Sequence, residues 1–427
     1  MNINHFCFIS LGCPKNLVDS ERVIQSMIEA GFTLVQEHTT ESIALLNTCA
    51  FIKEATDETI SVIQELIQRK INKELNEIVV LGCFPTRFII NELKKEFPQV
   101  DHWITIKQEA EIGGILSQTT ENSPLDKEKI SLTPRHYAYL KISEGCNNLC
   151  SYCVIPKIRG PLKSRPLEDI LKEAEYKVSC GIKELILVAE DTTIWGADTY
   201  NTPSLSLLLN ALNKIETLKW IRIMYAYPGR VDQQLINTIK ECEKVCHYLD
   251  MPIQHANTTM LKAMNRHYTK DELISCMKNL KNTIPNIAIR TSVIIGFPGE
   301  TQAQFNELLS FIKRYPFSQL GAFGYSQEQE TQAAALPNQI NNKTINQRIN
   351  TVMKQQFKLV ESENETKIGQ KIKLLYEGMG QGRSQYQAPD VDNVVIVDNP
   401  EGLEIGEFYT VEIIRAYGYD LVGRIIK

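Results

Sequence analysis

The sequence has no long apolar stretch and no excess of basic residues. No apolar run approaches the ~18 residues that cross a bilayer, so no membrane association is expected. The 46 basic residues face 51 acidic ones, and a net charge of -5 argues against a chain built mainly to coat nucleic acid. The first residues lack a basic segment followed by an apolar core, so we expect no signal peptide. We therefore expect a cytoplasmic protein.

The sequence also lacks internal repeats and low-complexity tracts, and its cysteines do not suggest disulfide pairing. The cysteine count of 11 is odd and nothing suggests secretion, so a disulfide framework is not expected. A hydrophobic content of 43% in 427 residues is ample for about two to four domains. The placement of the cysteines is therefore more informative than their number.

The chain is predicted to be an α/β protein with three folded parts. Residues 1–118 alternate short apolar runs with amphipathic stretches, which indicates an amino-terminal α/β domain. After a polar linker at 119–134, residues 135–341 repeat strand and helix patterns that predict a partial (β/α)6 barrel. A polar helix at 342–366 then leads to 367–427, whose short glycine-separated strands predict a small antiparallel β-barrel.

Three cysteines of the amino-terminal domain each follow a predicted strand. The strands are His5–Leu11, Ile43–Asn47 and Ile78–Leu81, and the cysteines are Cys13, Cys49 and Cys83. The carboxyl ends of parallel strands lie along one edge of a sheet, so the three thiols can converge there as a metal site. The alternative is that they are buried cysteines that pack as small hydrophobes.

The strongest motif is Cys146-x3-Cys150-x2-Cys153, which follows the predicted strand Tyr137–Ile142. Three thiolates on one loop can hold three irons of a four-iron four-sulfur cluster and leave the fourth iron open to an exogenous ligand. Zinc normally takes four ligands, and no histidine follows closely here. The motif therefore indicates an iron-sulfur cluster. Polar or glycine-rich groups recur after the next strands, as the active site of a barrel predicts.

Several longer motifs make the resemblance to a known family specific. The chain resembles the radical S-adenosylmethionine (SAM) methylthiotransferases, most closely the RimO-type branch, over essentially its whole length. The motifs that carry this resemblance are Ser10–Glu21, Ile142–Cys146, Ile158–Pro166, Glu190–Thr193, Tyr248–His255 and Ile295–Thr301. The resemblance implies an amino-terminal methylthiotransferase domain, a central radical SAM barrel and a carboxyl-terminal TRAM domain.

The resemblance also implies two [4Fe-4S] clusters and SAM as cofactors. The ligands of the radical-generating cluster would be Cys146, Cys150 and Cys153. Those of the auxiliary cluster would be Cys13, Cys49 and Cys83. Tyr152 would lie against the SAM adenine, and the other candidates for SAM or substrate contacts are Glu190, Asp191, Gln254, His255 and Gly296. For each of these polar residues a helix cap or a buried hydrogen bond is an alternative role.

The implied reaction inserts a methylthio group at an unactivated C–H bond. A 5′-deoxyadenosyl radical would abstract the hydrogen atom, sulfur would come from the auxiliary cluster, and a second SAM would supply the methyl group. The implied substrate is the β-carbon of an aspartate in the small-subunit ribosomal protein numbered twelve, free or on the ribosome. Residues 367–427 carry seven basic and nine acidic residues, which favours a basic protein over the alternative substrate, a tRNA adenosine.

Further expectations concern partners and the other cysteines. We expect a monomer that receives electrons from a flavodoxin or ferredoxin. The remaining cysteines, expected to be buried and structural, are Cys7, Cys180, Cys242, Cys246 and Cys276. Two other classes stay open from sequence: an electron-transfer protein with two clusters, and a nucleic-acid-binding module stabilised by zinc.

Overall fold

The computed structural model describes residues 5–35, 42–117 and 130–426. It forms two compact units. The first comprises residues 1–133 with the later segments 145–147 and 153–161, and the second comprises 134–144, 148–152 and 162–427. Most of the predicted linker, residues 119–129, lies outside the described residues.

The first unit is built on a five-stranded parallel sheet in the order β2-β1-β3-β4-β5. Its strands are β1 (His5–Ser10), β2 (Thr33–Leu34), β3 (Ser42–Thr48), β4 (Leu75–Gly82) and β5 (His102–Thr105). Apolar clusters cover both faces of the sheet, which explains the nearly continuous apolar runs of β3 and β4. The three strands expected from the sequence are present, and the short strands β2 and β5 extend the sheet at its edges.

Helices connect or follow the strands of the first unit, and one more comes from the later segment 153–161. They are α1 (Pro14–Glu29), α2 (Lys53–Ile71), α3 (Cys83–Arg87), α4 (Ile90–Glu96), α5 (Ile112–Leu116) and α6 (Ile155–Arg159). Helix α1 begins with a proline, whose fixed φ and missing N–H suit the first helical position. Its inward face buries Val23, Ile24 and Met27 completely. In chain order, α1 begins shortly after the carboxyl end of β1, and α3 begins directly after β4.

The second unit contains a six-stranded parallel sheet in the order β13-β12-β11-β10-β9-β6, together with a short antiparallel pair of strands, β7 and β8. Its strands are β6 (Tyr137–Lys141), β7 (Ser143–Glu144), β8 (Lys163–Ser164), β9 (Glu184–Val188), β10 (Trp220–Ile223), β11 (Val245–Asp250), β12 (Ala288–Ile295) and β13 (Gln319–Gly324). Helices alternate with the six sheet strands, so the predicted partial (β/α)6 barrel is confirmed.

The helices of the second unit cover the outer face of this sheet with one large apolar core. They are α7 (Leu167–Ser179), α8 (Leu205–Leu212), α9 (Gln233–Glu241), α10 (Thr258–Ala263), α11 (Lys270–Thr283), α12 (Gln302–Arg314) and α13 (Asn342–Glu365). Capping boxes begin α11 at Thr269 and α12 at Thr301. Within the described ranges, no helix combines the length and the apolar character that crossing a membrane requires.

The carboxyl-terminal strands form a closed barrel in the order β14-β15-β16-β18-β17. They are β14 (Lys371–Gly378), β15 (Gln381–Arg383), β16 (Val395–Val397), β17 (Phe408–Tyr417) and β18 (Asp420–Ile425). Four of the strand pairs are antiparallel, and β16 pairs with β18 in parallel. This differs from the all-antiparallel expectation, because strand direction cannot alternate all the way around a closed ring of five.

This small barrel contacts the amino ends of the parallel strands in the second unit. Glu184, which begins β9, accepts hydrogen bonds from Arg222 at 2.6 Å and from Arg383 of β15 at 2.8 Å. Burial alone would raise the pKa of Glu184, but the two guanidinium groups outweigh it and hold the pKa below its ordinary value. The rings of Trp220 and Phe408 meet edge to face nearby. The carboxyl ends of the strands are therefore at the edge away from this contact.

Candidate cluster sites and the strand-end edge

The three cysteines of the first unit lie at the carboxyl ends of β1, β3 and β4. These strands are consecutive neighbours in the sheet, so their ends stand side by side. Burial raises the pKa of Cys49, and burial raises the pKa of Cys83 to about 12. The electrostatic interaction with Cys13 adds to the rise in pKa at both thiols. The thiols are thus near enough to interact electrostatically.

Asn16 of α1 joins the loops that carry these cysteines. Its side-chain amide donates to the carbonyl of Leu11 at 3.1 Å and to that of Thr48 at 2.9 Å. Its carbonyl oxygen lies 3.8 Å from the Cys83 sulfur and accepts a hydrogen bond from Arg159 at 2.6 Å. Asn16 is 2% exposed, so a buried residue fixes the strand-end loops to one another.

Two glycines allow the cysteine loops to pack this closely. Gly12 has φ +100°, and a Cβ there would stand 2.9 Å from the Cβ of Cys49. Gly82 has φ +94°, and a Cβ there would stand 2.3 Å from the Asn47 side-chain oxygen. Each glycine directly precedes a cysteine. The positive φ and the close approach of the neighbouring loop both require glycine at these two positions.

The donor set of this site suits an iron-sulfur cluster. Within the described part of the chain, no three His, Cys, Asp or Glu side chains are gathered tightly around one point as ligands of a single ion. The site nevertheless presents thiols from three loops, with the guanidinium of Arg159 lying 3.7 Å from the Cys83 sulfur. Thiolate ligands with hydrogen-bond donors to sulfur are the usual surroundings of such clusters.

The Cys146–Cys153 loop contributes to both units. Cys146 and Cys153 belong to the first unit and Cys150 to the second. In the first unit the amide of Cys146 donates to the carbonyl of Gly160 at 3.1 Å. In the second, Arg266 places a guanidinium nitrogen 3.7 Å from the Cys150 sulfur and donates to the carbonyl of Pro252. All three thiols are half-buried.

A polar triangle in the second unit holds this loop to the strand ends. Asn148 donates to Asp191 at 2.8 Å, and Arg230 donates to Asp191 at 2.6 Å and to Asn148 at 2.7 Å. Asp191 is 2% exposed and also accepts a hydrogen bond from the Thr193 amide. This predicted site residue therefore acts partly as a cap and partly as the buried anion of an ion pair.

The other predicted residues occupy the same edge of the second unit. Glu190 follows β9 and is half-buried. Tyr152 packs beside an apolar cluster that includes Met260 and Phe297. Gln254 adopts φ 63°, and its backbone is fixed by hydrogen bonds with the β12 strand. Non-glycine residues with a positive φ are strained, and such residues are concentrated at functional sites. The backbone of Gln254 agrees with a functional role for this residue.

His255 supports the Gly296 loop from inside. Its ring nitrogen Nδ1 accepts hydrogen bonds from two backbone amides, and Nε2 faces Glu300 at 3.2 Å. Glu300 in turn accepts from the Gly296 amide and from Arg348 of α13. His255 is completely buried, so the structure favours the alternative of a hydrogen-bonded core histidine. At Gly296 a Cβ would stand 2.4 Å from Ile345, so α13 requires the glycine.

Sequence reasoning missed Asn16, Arg159, Arg230 and Arg266, although the first two lie inside the quoted motifs. Of the cysteines expected to be structural, those that are buried are Cys7, Cys242, Cys246 and Cys276. Cys180 is exposed, so that expectation was wrong for it. It caps the carboxyl end of α7, where the chain turns at the surface.

Family comparisons agree with this architecture. The radical SAM superfamily model matches residues 140–312, the Uncharacterized protein family UPF0004 matches residues 5–105, and the TRAM domain matches residues 368–426. The fold and the cysteine loop thus define a radical SAM enzyme, a class that implies a [4Fe-4S] cluster and SAM.

Curated relatives narrow this class. The "Ribosomal protein uS12 methylthiotransferase RimO" of Clostridioides difficile (strain 630) is 39% identical over 434 residues, covering 98% of both chains. The protein of the same name from Citrifermentans bemidjiense is 41% identical over 438 residues, covering 98% of this chain and 97% of the relative. The chain therefore belongs to the RimO family of radical SAM methylthiotransferases.

Solved structures share the fold at low identity. The radical SAM methyltransferase TsrM from Kitasatospora setae aligns with a TM-score of 0.58 at 12% identity, over 77% of this chain and 74% of that one. The cobalamin-dependent radical enzyme OxsB aligns with a TM-score of 0.52 at 12% identity, over 84% of this chain and 56% of that one. These similarities concern the fold alone.

Proposed function

We propose that this chain transfers a methylthio group to the β-carbon of an aspartate in ribosomal protein uS12. The observation that carries the proposal is the full-length similarity to relatives of that name, with 98% of the chain aligned at 39% to 41% identity. Three-cysteine sets in the methylthiotransferase domain and in the barrel agree with it.

The two sets of cysteines hold two [4Fe-4S] clusters. Cys146, Cys150 and Cys153 bind the radical-generating cluster, and Cys13, Cys49 and Cys83 bind the auxiliary cluster. When bound, the clusters supply a one-electron cleavage of SAM and a site for the transferred sulfur. The contribution of the chain is to position these groups and exclude water. Asn16 holds the strand-end loops together, and Arg266 presents its guanidinium to Cys150.

SAM binds at the carboxyl ends of the barrel strands, where Tyr152, Glu190, Asp191, Gln254 and Gly296 lie. Asp191 acts chiefly by holding Asn148 and Arg230. His255 acts through Glu300 by fixing the backbone at Gly296. These roles make the edge a preorganised surface, as a barrel active site requires.

The TRAM domain supplies an acidic surface for a basic protein substrate. Its β16–β17 connection carries four exposed acidic side chains: Asp398, Glu401, Glu404 and Glu407. Two of them pair with bases, Asp398 with Arg424 and Glu407 with Lys183, so the patch is moderately acidic. Such a surface steers a basic protein and gains nothing from nucleic acid phosphates.

The setting of the reaction follows from this assignment. The enzyme acts as a cytoplasmic monomer on uS12, free or on the ribosome, and a flavodoxin or ferredoxin reduces its clusters. The functional domains span 1–118, 135–341 and 367–427, connected by 119–134 and 342–366.

Mass spectrometry of uS12 and of tRNA, from cells with and without this gene, tests the substrate. We expect one uS12 aspartate to lose a methylthio group when the gene is deleted, and to regain it when the wild-type gene is restored. A restored Cys150→Ala gene should not rescue it. Loss of a methylthio group from a tRNA adenosine alone would contradict the assignment.

A further inference from the structure

Arg159 is a buried cation beside the proposed auxiliary cluster. Its side chain is 2% exposed, and it lies in the first unit together with Asp19, Asn16 and Cys83. It donates to Asp19 at 3.0 Å and to Asn16 at 2.6 Å, and its Nη2 lies 3.7 Å from the Cys83 sulfur. A buried guanidinium is retained at a desolvation cost, which Asp19 offsets with its opposite charge.

The placement of Arg159 is more specific than an ion pair with Asp19 requires. An arginine carries five N–H donors in a rigid fork, and here one terminal nitrogen turns to Asp19 while the other faces Asn16 and Cys83. The guanidinium is therefore directed at the thiol site.

The backbone around Arg159 links the two cysteine sets. Helix α6 (Ile155–Arg159) begins two residues after Cys153 and ends at Arg159. Ile158 of this helix is buried in the apolar cluster that also includes Cys83 and Phe84. The short helix thus fixes Arg159 in place from the same segment that carries a proposed ligand of the radical-generating cluster.

We propose that Arg159 is a positioning residue that donates to the Cys83 sulfur and raises the reduction potential of the auxiliary cluster. The inference rests on the proposed function, in which Cys13, Cys49 and Cys83 hold that cluster. Reduction adds one electron, so a cation near a ligand sulfur stabilises the reduced form more than the oxidised form. Hydrogen bonds to sulfur and solvent exposure are established determinants of cluster potentials.

The test measures the auxiliary cluster by itself in the full-length chain. Cys146, Cys150 and Cys153 are all replaced by alanine, the protein is reconstituted anaerobically, and the cluster is titrated with dithionite while its electron paramagnetic resonance signal is followed. In this background Arg159→Gln should lower the midpoint potential. We expect about a tenfold change in the ratio of oxidised to reduced cluster, equivalent to about 59 mV for one electron.

Two further variants separate electrostatics from folding. Arg159→Lys keeps the charge and should recover part of the lost potential. Arg159→Gln combined with Asp19→Asn removes the buried anion that the single change leaves behind, and it should still show the lowered potential. Arg266→Gln is the matched control in the same background, since it removes the guanidinium that faces position 150 in the wild-type chain and should leave the auxiliary potential unchanged.

The outcomes distinguish this inference from the proposed function. If the protein without Cys146, Cys150 and Cys153 holds about four irons but Arg159→Gln and the double variant keep the wild-type potential, the role of Arg159 is refuted and the cluster assignment stands. An equal shift in Arg266→Gln would also refute it. If that protein holds no iron, the auxiliary cluster and the inference both fail.

Discussion

The two cysteine triads reach their positions by different routes. Cys146, Cys150 and Cys153 come from a single loop, whereas Cys13, Cys49 and Cys83 come from three strand ends that are far apart in the sequence. The dispersed triad depends on β1, β3 and β4 being neighbours in the sheet, and on side-chain bonds such as those of Asn16. The local triad, Cys146, Cys150 and Cys153, is therefore specified by its spacing in the sequence. The dispersed triad, Cys13, Cys49 and Cys83, is specified by the topology of the sheet together with the side-chain hydrogen bonds around it, which form its polar frame.

Replacing one cysteine of the local triad should have the largest effect. Cys150→Ala should abolish formation of 5′-deoxyadenosine from SAM with dithionite, because the proposed radical-generating cluster would lose one of its three ligands. Reconstituted iron should fall from about eight to about four per chain. Cys180→Ala is the control, since that thiol is exposed at the end of α7 and should leave iron and SAM cleavage unchanged. Full SAM cleavage in Cys150→Ala would contradict the ligand assignment.

Removing the dispersed triad should separate the two activities. Cys13→Ala should also leave about four irons per chain, but SAM cleavage should stay close to the wild-type value while methylthiolated uS12 is no longer formed. Product mass spectrometry and 5′-deoxyadenosine assays on the same sample check this. If Cys13→Ala lost SAM cleavage as completely as Cys150→Ala, the two triads would not be independent sites.

The contrast between the triads also explains what the sequence could predict. The cysteine loop, the parallel strands and their carboxyl-end residues followed from spacing and periodicity, because those signals are local. The family resemblance supplied the cluster and SAM assignments, and local patterns could not indicate the role of Asn16, whose partners lie on separate strand ends. Arg159 is similar, since its partners Asp19 and Cys83 are distant in sequence.

The parallel β16–β18 pairing was missed for a related reason. Short strands separated by glycines favour antiparallel hairpins, and the pairing is set only when five strands close a ring. Cys180 was expected to be buried because free cysteines usually are, but the surface turn after α7 overrides that tendency. In both cases the tertiary arrangement overrides the expectation that comes from residue type alone.

The polar frame of the dispersed triad should be sensitive to Asn16. Asn16→Ala leaves the buried carbonyl of Thr48 and the partly buried carbonyl of Leu11 without this donor, and an unsatisfied buried acceptor costs about 1 to 3 kcal/mol. We expect the first unit to be destabilised by about 2 to 4 kcal/mol, measured by hydrogen exchange of the β1, β3 and β4 amides. Iron at the auxiliary site should also fall.

Asn16→Asp is the matched comparison for this prediction. The carboxylate keeps an acceptor for Arg159 but has no N–H for the two carbonyls. It should therefore be destabilised as well, while holding Arg159 in place. Unchanged exchange in both variants would show that topology alone gathers the dispersed triad.

The smallest effect concerns the support of the local triad. Asp191→Asn keeps the shape of the side chain but removes the anion that pairs with Arg230 and accepts from Asn148. The loop ligands stay in place, so iron content should remain at about eight per chain. SAM should bind about tenfold more weakly, which corresponds to about 1.4 kcal/mol. Equilibrium binding of SAM to the reconstituted enzyme measures this.

Asp232→Asn provides the control for that change. Asp232 caps α9 by accepting from the Leu235 amide, and asparagine is an equally good cap, so SAM affinity should not change. If Asp191→Asn instead lost iron, the local triad would depend on its polar frame as strongly as the dispersed triad does. The difference between the two triads would then lie only in their spacing along the chain, because both would need buried side-chain partners to hold their thiols.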